Sequence, residues 1–374
     1  MLNQNPSLTV YFPDLSGGGA ERLHLGLAPF FVAAGLKVTF LLDRRNGELL
    51  DRVPEGVEVK VLGASRQLKA LPLLVRELRT APPQIFLANM EHMNIMALIA
   101  RKLSGARTQI VISQHISLSG LVQHPPSWNF RTLPFLYRMF APTADAIVAV
   151  SRGVADDLAS IAKLEHSRIE IIYNGAIADN FNDRAASHVS HPWLDNGLPL
   201  LLTVGRLVPQ KDHAVLLAAF AKLLQERDAR LLILGEGRSR IQLEAQARAL
   251  NITDKIDMPG FVDDPLPFIK RANVVILASR FEGFGLVLAE ALACGTPVVS
   301  TDCPFGPAEI LDNGRFGPLV PVGDSARMAR AIANVLDEPH DPAFLAARGR
   351  EFTLAACAEG YLALFDRLLN GQRR

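Results

Sequence analysis

The feature that most constrains the fold is a repeated alternation of short, almost wholly apolar runs with longer segments of helical period. The apolar runs lie at 8–12, 37–42, 57–62, 85–88, 109–113, 146–150 and 169–173. Such runs suit the strands of a parallel sheet that is buried on both faces. Helical segments such as 20–34 separate them, and Pro29 inside that segment is expected to kink the helix.

The alternation is interrupted once, by the polar residues 183–198, which show no helical or strand period. We predict an interdomain linker there, between an N-terminal domain over 1–182 and a C-terminal domain over 199–374. A second series of apolar runs lies at 200–204, 231–234, 274–277, 297–300 and 317–320. A chain of 374 residues also exceeds what one hydrophobic core usually supports.

The strand–helix–strand order in both halves predicts right-handed crossovers and doubly wound sheets, which means an α/β protein with two Rossmann-like domains. Two such domains are expected to face each other across a cleft that binds the ligand. The last segment, 341–369, is rich in Ala and Leu and is predicted to be helical. Whether it packs back on the N-terminal domain is left open.

The charge of the chain is balanced overall but not locally. A formal net charge of +1 gives no reason to expect a nucleic-acid partner. Between residues 60 and 142, however, ten Lys or Arg residues stand against two acidic residues, Glu77 and Glu91. This segment can meet phosphates or an anionic membrane, or it can be an ordinary solvated surface. Its aromatic residues around 128–140 form either a membrane-surface helix or part of the first core.

Composition also bears on location. The three cysteines, Cys294, Cys303 and Cys357, show no metal-like spacing and fit a reducing compartment. The N-terminus lacks the basic start and apolar stretch of a signal peptide, and no apolar run approaches about 18 residues. We therefore expect a cytoplasmic protein, and leave open a peripheral contact with the inner membrane face.

Three loops in the second half follow a strand and precede a helix. The first, GRLVPQKD at 205–212, combines Gly205 with the cations Arg206 and Lys211. A close backbone and two cations suit a departing diphosphate, although a solvated surface loop would look the same. The second, GEG at 235–237, lacks the third glycine of a dinucleotide fingerprint and is predicted to be a tight turn.

The third loop, SRFEGFG at 279–285, opens a strongly helix-forming segment that Gly295 and Pro297 end. The amides around 284–286 are expected to form a helix N-terminus suited to a phosphate. Glu290 lies on this otherwise apolar helix, where a carboxylate must find a partner or bear a large desolvation penalty.

The spacing of Glu282 and Glu290 separates two kinds of chemistry. Eight helical residues would place them roughly 12 Å apart along the axis, or more. The carboxyl groups of glycoside hydrolases lie about 5 to 9.5 Å apart, so a hydrolytic acid/base pair is disfavoured. The spacing suits contacts with hydroxyl groups on the two sides of a diphosphate. A helix cap plus one salt-bridged glutamate is the structural alternative.

The first half carries two weaker signals. In GGGAER at 17–22, Gly18 and Gly19 follow a strand and open a helix, which permits either close ligand approach or a tight turn. His115 follows the run 109–113 and is expected to face the cleft. Alone, such a histidine is more often structural than catalytic.

With these segments in order, the chain resembles the retaining glycosyltransferases of family GT4, which have the GT-B fold. The resemblance spans nearly the whole chain. The motifs that carry it are GGGAER, the histidine after the fifth strand, GRLVPQKD, LLILGEG and the E-x7-E segment that ends in ALACGTPVV.

The resemblance implies a catalytic set made of His115, Glu282, Arg206 and Lys211. Arg206 and Lys211 would bind the diphosphate, His115 and Glu282 the transferred sugar, and Glu290 the ribose. The other donor-binding positions that it implies are Gly18 and Gly19 beside donor and acceptor, Gly205, Phe261 and Val262 near the base, and Gly283, Phe284, Gly285 and Leu286.

The resemblance further implies transfer of a hexose or N-acetylhexosamine from a nucleoside-diphosphate sugar, with UDP favoured over GDP. The acceptor would be a glycan or a lipid-linked glycan in bacterial surface polysaccharide synthesis. Retention of configuration, with no metal and no other cofactor, is expected, and the chain contains no Asp-x-Asp. Two other functions stay open: a non-catalytic scaffold that binds nucleotide sugars, and a nucleotide-sugar epimerase.

Overall fold

The computed structural model describes residues 5–16, 18–64, 67–123, 125, 128–194 and 197–371. The strands are β1 (Ser7–Phe12), β2 (Lys37–Leu42), β3 (Val57–Val61), β4 (Ile85–Ala88), β5 (Gln109–Gln114), β6 (Ala146–Ala149), β7 (Ile169–Ile171), β8 (Leu200–Val204), β9 (Arg230–Leu234), β10 (Ile256–Gly260), β11 (Val274–Leu277), β12 (Val298–Thr301) and β13 (Leu319–Val320).

The helices are α1 (Gly19–Ala33), α2 (Gln67–Thr80), α3 (Glu91–Ser104), α4 (Leu118–Gln123), α5 (Leu133–Phe140), α6 (Arg152–Ala162), α7 (Phe181–Ala185), α8 (His213–Leu223), α9 (Arg240–Ala249), α10 (Leu266–Arg271), α11 (Leu286–Ala293), α12 (Pro307–Ile310), α13 (Ser325–Asp337), α14 (Pro342–Gly349) and α15 (Leu354–Leu369). The predicted strands are all present, and the predicted helix at 20–34 is confirmed as α1, which continues through Pro29.

The strands form two parallel sheets with related topology. The orders are β3-β2-β1-β4-β5-β6-β7 and β10-β9-β8-β11-β12-β13. In each sheet the chain begins in the middle, builds one side and then returns to build the other, so the order reverses at β1/β4 and at β8/β11. Strands β4, β6, β11 and β12 are buried throughout, which explains their continuous apolar sequence. The predicted α/β class with two Rossmann-like domains is confirmed.

The chain divides into two compact units that do not follow one another in sequence. Unit 1 contains Met1–Gly175 and Thr353–Arg374, and unit 2 contains Ala176–Phe352. The segment 183–198, predicted as a linker, is counted within unit 2, and its first residues belong to α7.

The C-terminal segment 341–369 forms two helices rather than one. Thr353 separates them, because its hydroxyl accepts a hydrogen bond from a first-turn amide of α15 and so caps a new helix. Helix α15 belongs to unit 1, where its aromatic residues pack on α1. The rings of Tyr361 and Phe365 lie 6.2 and 5.6 Å from that of Phe31.

Candidate functional site

In both units, the predicted site residues lie in the loops at the carboxyl ends of parallel strands or on the helices that follow these loops. In open α/β sheets, ligands bind at these ends, where the strand order reverses. In unit 2 this point lies between β8 and β11, which lead into the loops 205–212 and 279–285. In unit 1 it lies between β1 and β4, with β5 next to β4.

Lys211 and Glu282 form an ion pair between the two loops of unit 2. The Lys211 Nζ lies 2.6 Å from Glu282 Oε1, and Ser279 Oγ donates to the same oxygen over 2.5 Å. The two charged side chains are only 19% and 9% exposed. A carboxylate with so little access to water needs such partners to remain charged. Two residues predicted to hold different parts of one donor therefore contact each other directly.

Two further links join the same loops. Arg280 Nε donates to Asp212 Oδ2 over 2.7 Å, and Gln210 Nε2 donates to the Phe281 carbonyl over 3.0 Å. Asp212 has a φ of +45° where the first loop turns into α8, a conformation that Asp tolerates better than most residues. These contacts hold the two loops that carry the ion pair against each other.

The first loop begins with Gly205 and Arg206, which differ in their position relative to the ion pair. The Gly205 N–H donates to the Leu234 carbonyl over 2.9 Å, and a Cβ on Gly205 would lie 3.5 Å from the Lys211 side chain. Arg206 is exposed and makes no ion pair within the described part of the chain. Gly205 therefore lies beside the ion pair, whereas Arg206 is not brought into it.

The glycine-rich end of the second loop shapes the start of α11. Gly285 is the N-cap residue, with a φ of +99° that favours glycine. Phe284 before it is buried, with its ring 5.3 Å from that of Phe352, and Gly283 is buried as well. Because Gly285 has no side chain to cap the helix, the first amides of α11, beginning at Leu286, are suited to an anion.

The structure corrects the expected setting of Glu290. It is partly exposed, on the same side of α11 as Leu286, rather than buried among its apolar neighbours. Glu282 precedes the helix, so only the steps from 286 to 290 are helical. The estimate of roughly 12 Å therefore assumed a helical path that residues 282–285 do not follow.

Arg184 of α7 lies close enough to Glu290 to interact with it electrostatically. Its Nε and Nη2 each donate to one oxygen of Asp264 over 2.9 Å. The hydrogen bonds to Asp264 raise the pKa of Arg184, and the charges of Asp264, Glu290 and Asp263 raise it further. Sequence reasoning missed this residue, because the surrounding composition is that of a linker.

Phe261 and Val262 follow β10 in unit 2. Phe261 is 44% exposed and Val262 is half-buried. The preceding Gly260 carbonyl accepts a hydrogen bond of 2.8 Å from the Gly235 N–H, which places the β9 and β10 loops side by side. The exposed ring of Phe261 offers a flat surface on which an aromatic group can stack.

In unit 1, Gly18 and Gly19 begin α1 without any left-handed backbone. Gly18 is the N-cap residue, with a φ of −70°, and Gly19 is the first helical residue. A Cβ on Gly18 would lie 2.3 Å from Glu21 Oε2, so what the position requires is space beside the helix N-terminus. Gly17 lies outside the described residues.

His115 follows β5 and takes part in a chain of polar contacts. Its Nε2 lies 3.0 Å from Ser113 Oγ, which in turn lies 3.0 Å from the hydroxyl of Tyr361. The His24 ring lies 5.7 Å away, edge to face. Burial, together with the charge that His24 could carry, lowers the pKa of His115 to about 3, so the ring is neutral at pH 7.

Three other polar residues of unit 1 were not selected from the sequence. His24 is buried, its Nδ1–H donates to the Ala20 carbonyl over 2.8 Å, and burial lowers its pKa to about 4. Asn89 follows β4 and His92 lies in the first turn of α3, and neither side chain has a hydrogen-bond partner within the described residues. The signal that could have found Asn89 is its position directly after a buried strand, as for His115.

Among the described residues, no three His, Cys, Asp or Glu side chains gather in a way that could hold a metal ion. The absence of a metal and of other cofactors from the reaction stays a prediction. Within the same residues, no helix combines the length and apolar character needed to cross a bilayer.

Comparison with known proteins places both halves of the chain in glycosyltransferase families. Residues 17–179 match the family model Glycosyltransferase Family 4, and residues 190–352 match the model Glycosyl transferases group 1. The N-acetylgalactosamine-N,N'-diacetylbacillosaminyl-diphospho-undecaprenol 4-alpha-N-acetylgalactosaminyltransferase of Campylobacter jejuni is 31% identical over 347 residues, covering 88% of this chain and 90% of the relative. The chain belongs to glycosyltransferase family 4.

The chain is also similar to a second curated relative and to a solved structure. The lipopolysaccharide core biosynthesis glycosyltransferase LpsE of Rhizobium meliloti is 30% identical over 227 residues, or 59% of this chain and 64% of the relative. The structure of HepE of Anabaena, solved with UDP and glucose, has a TM-score of 0.79 at 21% identity over 96% of this chain and 99% of the other. Such likeness confirms the GT-B fold.

Proposed function

We propose that this glycosyltransferase moves an N-acetylhexosamine or hexose from a UDP-sugar to a lipid-linked glycan acceptor, with retention of anomeric configuration. The observation that carries the proposal is the cluster of Lys211, Glu282 and Ser279 where the strand order reverses in unit 2. A cation and a carboxylate at the ends of β8 and β11 offer one partner for a diphosphate and one for a sugar hydroxyl.

In the proposed donor complex, Lys211 exchanges Glu282 for the diphosphate, and Glu282 turns to a hydroxyl group of the sugar. Arg206 adds a second cation from its exposed position. The amides at Gly285 and Leu286 contribute to the same anion. Negative charge grows on the diphosphate as the glycosidic bond breaks, so these contacts strengthen in the transition state.

The nucleoside and the sugar are assigned to the remaining site residues. Glu290, which is partly exposed, binds the ribose hydroxyls, and the exposed ring of Phe261 with Val262 lies at the base. Gly18 and Gly19 leave space at the N-terminus of α1, and His115 contacts the sugar near its reacting carbon.

The proposed reaction needs no protein nucleophile. The bond between the anomeric carbon and the diphosphate oxygen breaks, and the acceptor oxygen bonds to that carbon on the same face. The acceptor proton passes to the leaving diphosphate. In support, Ser279 Oγ donates to the Glu282 carboxylate, which suits a hydrogen-bonding role more than attack on carbon. The cations, rather than a metal, neutralise the phosphates.

The choice of substrates rests on the relatives. The Campylobacter jejuni relative is named for adding N-acetylgalactosamine to a sugar on diphospho-undecaprenol, which favours an N-acetylhexosamine and a lipid-linked acceptor. HepE was solved with UDP and glucose, which favours a UDP-sugar over a GDP-sugar.

A donor panel tests the proposal. Purified protein is incubated with UDP- and GDP-sugars and with undecaprenyl-diphosphate-linked saccharides, in EDTA and in Mg²⁺, and the products are analysed by mass spectrometry and NMR of the anomeric proton. We expect α-linked product from one UDP-N-acetylhexosamine in either buffer. Glu282→Gln should reduce turnover by about 10²-fold or more, the usual loss for a group that acts on the transition state. The matched surface variant Glu244→Gln should not.

Other outcomes of the panel would contradict the proposal. An inverted linkage would overturn the retaining mechanism, and activity only in Mg²⁺ would overturn metal independence. Epimerised donor in the absence of acceptor, or donor binding with no turnover on any acceptor, would replace the transferase by one of the two alternatives.

We also propose that α5 contacts the membrane that holds the acceptor. Phe135 and Met139, one helical turn apart, are 62% and 50% exposed, and Arg131 and Arg138 beside them are exposed as well. Apolar residues flanked by cations suit the surface of an anionic bilayer. The part of the segment around Trp128 includes side chains outside the described residues.

Vesicle flotation at low salt tests this contact. We expect the protein to float with vesicles that contain anionic lipid and to stay behind with neutral vesicles. The double variant Phe135→Ser/Met139→Ser should lose most of the bound fraction, whereas Ile241→Ser, an exposed apolar residue of unit 2, should not. Equal flotation of the wild type and both variants would contradict the proposed contact of α5 with the membrane.

A further inference from the structure

Two buried hydroxyl groups, those of Tyr361 and Ser113, connect the C-terminal helix to His115 within unit 1. Tyr361 on α15 and Ser113 on β5 are 1% and 0% exposed. Ser113 Oγ lies 3.0 Å from the Tyr361 hydroxyl and 3.0 Å from His115 Nε2. Each hydroxyl carries a single hydrogen, so the direction of donation along this series of hydrogen bonds can be worked out.

The direction of donation follows from Tyr361, which stands at the opposite end of this series of hydrogen bonds from His115. Within the described residues, Ser113 Oγ is the only hydrogen-bond partner of the Tyr361 hydroxyl, so its hydrogen must go there or stay unpaired in the core. An unpaired buried donor costs about 1 to 3 kcal/mol. With Tyr361 donating to Ser113, the Ser113 hydrogen is available for His115 Nε2. In this direction one buried group, the His115 Nδ1–H, has no partner within the described residues, whereas in the reverse direction both the Tyr361 hydrogen and a bare Nδ1 have none.

We infer that Tyr361 and Ser113 fix His115 as the tautomer with a bare Nε2 and a hydrogen on Nδ1. Nδ1 is itself buried and without a partner in the described part of the chain. Its N–H therefore stands ready to donate to an oxygen lone pair. His24 does not compete as a donor, because its own Nδ1–H is used by the Ala20 carbonyl.

The consequence for the reaction rests on the proposed function. A neutral imidazole with a hydrogen on Nδ1 has no lone pair there, so it cannot take the proton of the acceptor from that nitrogen. His115 then acts as a hydrogen-bond donor to a sugar oxygen, and the proton must go elsewhere. Tyr361 is a positioning residue, since it acts on the sugar only through Ser113 and His115.

The tautomer can be observed without substrate. The full chain is labelled with ¹⁵N in its histidine rings, and the His115 signals are identified by their loss in His115→Gln. We expect Nε2 to resonate as a bare, accepting nitrogen and Nδ1 as a protonated one. Signals of the opposite tautomer in the wild type would overturn the inference. Because this result does not depend on turnover, it stands or falls separately from the transferase activity.

Variants test the cause. In Tyr361→Phe the hydroxyl of Ser113 is free to donate or accept, so both tautomers should be seen, and kcat should fall about 10-fold with an unchanged donor KM. Ser113→Ala should give the same mixture and serves if the first variant folds poorly. Tyr11→Phe removes another buried hydroxyl, which bonds to Asp43, and should leave the His115 spectrum unchanged. A single unchanged tautomer in both Tyr361→Phe and Ser113→Ala would contradict the assigned role.

Discussion

The two units share a strand order but differ in the chemistry that they place where this order reverses. In unit 2, the loops after β8 and β11 contact each other through charged groups, because Lys211 forms an ion pair with Glu282. In unit 1, Asn89 and His115 directly follow β4 and β5, and His24 on α1 lies beside His115; all three side chains are neutral at pH 7. The fold fixes where a ligand can bind, and the residues that begin each loop decide what kind of ligand that is.

The difference matches two tasks of a sugar transfer. A leaving diphosphate gathers negative charge, and a cation held near it in a poorly solvated site stabilises that charge strongly. Sugar hydroxyls stay neutral, so neutral donors and acceptors suit them, and burial of those groups costs less than burial of ions. Unit 2 therefore pairs a poorly solvated cation with a carboxylate, whereas the buried histidine rings of unit 1 stay uncharged.

The largest effects are expected when the charge balance of unit 2 is broken. Lys211→Met leaves the Glu282 carboxylate almost buried, with Ser279 as its remaining partner in the cluster, which should lower the free energy of unfolding by about 3 kcal/mol. Turnover should fall by about 10³-fold, because the proposed donor complex loses a cation that would neutralise the leaving group. Urea unfolding and initial rates measure the two effects separately.

The double variant Lys211→Met/Glu282→Gln sharpens this test, because it removes both charges. Most of the lost stability should return while turnover stays low. In unit 1, His115→Gln should lower turnover with less than about 1 kcal/mol of destabilisation, since it leaves no unpaired charge. If the double variant were as unstable as Lys211→Met, the ion pair would not be the source of the effect.

Much of this arrangement is predictable from the sequence, because the buried strands of a parallel sheet have a continuous apolar pattern that few other elements share. The loops after β8 and β11 could be chosen for the same reason: each follows such a strand and contains charge or glycine. The helix that follows the β11 loop could be predicted from its helix-forming residues and from Gly295 and Pro297 at its end, and Glu282 lies before it.

Contacts between residues far apart in the chain could not be predicted. Nothing near Tyr361 indicates that it meets Ser113, which lies 248 residues away, because only the packing of α15 on α1 brings them together. Arg184 was missed for a similar reason, since a short polar helix has no periodic signal and its partner Asp264 lies in another loop. Side-chain pairing across elements is a property of the packed core.

Two glycines offer a smaller test of the comparison. Gly306 in unit 2 has a φ of +97°, and a Cβ there would lie 2.2 Å from the Phe284 carbonyl oxygen. Gly306→Ala should destabilise the protein by about 3 kcal/mol and disturb the start of α11, because backbone atoms cannot move aside cheaply. Gly18→Ala in unit 1 meets the end of the flexible Glu21 side chain and should cost less than about 1 kcal/mol.

Thermal unfolding of both glycine variants, with donor KM and kcat, separates the two positions. Gly18→Ala should keep its stability yet bind substrates less well, since the methyl group fills space assigned to them. Equal loss of stability in the two variants would mean that the first loop of unit 1 is as tightly constrained as the loops of unit 2.

The smallest expected effect is a difference between the two units in how much stability each loses as the pH falls. Burial lowers the pKa of His24 and His92 to about 4 and that of His115 to about 3, from an ordinary 6.5, so the unfolded chain binds protons that folded unit 1 does not. Stability is then full above pH 6.5 and falls as the pH drops from 6.5 towards 4, by about 1.4 kcal/mol per pH unit for each ring. Asp43, whose pKa burial raises to about 6, offsets one ring, because its proton is held more tightly in the folded state.

Unit 2 has one such ring, His213, whose pKa is lowered to about 4 by burial and by Lys211. Unit 1 should therefore lose roughly twice as much stability per pH unit, about 2.7 against 1.4 kcal/mol as upper limits. Hydrogen exchange of peptides from each unit, corrected for the intrinsic effect of pH, should show unit 1 opening first between pH 6 and 4.5. His92→Gln should reduce that difference by the contribution of one ring, about 1.4 kcal/mol per pH unit. Earlier opening of unit 2 would mean that its ion pairs, and not the neutral rings of unit 1, limit stability in acid.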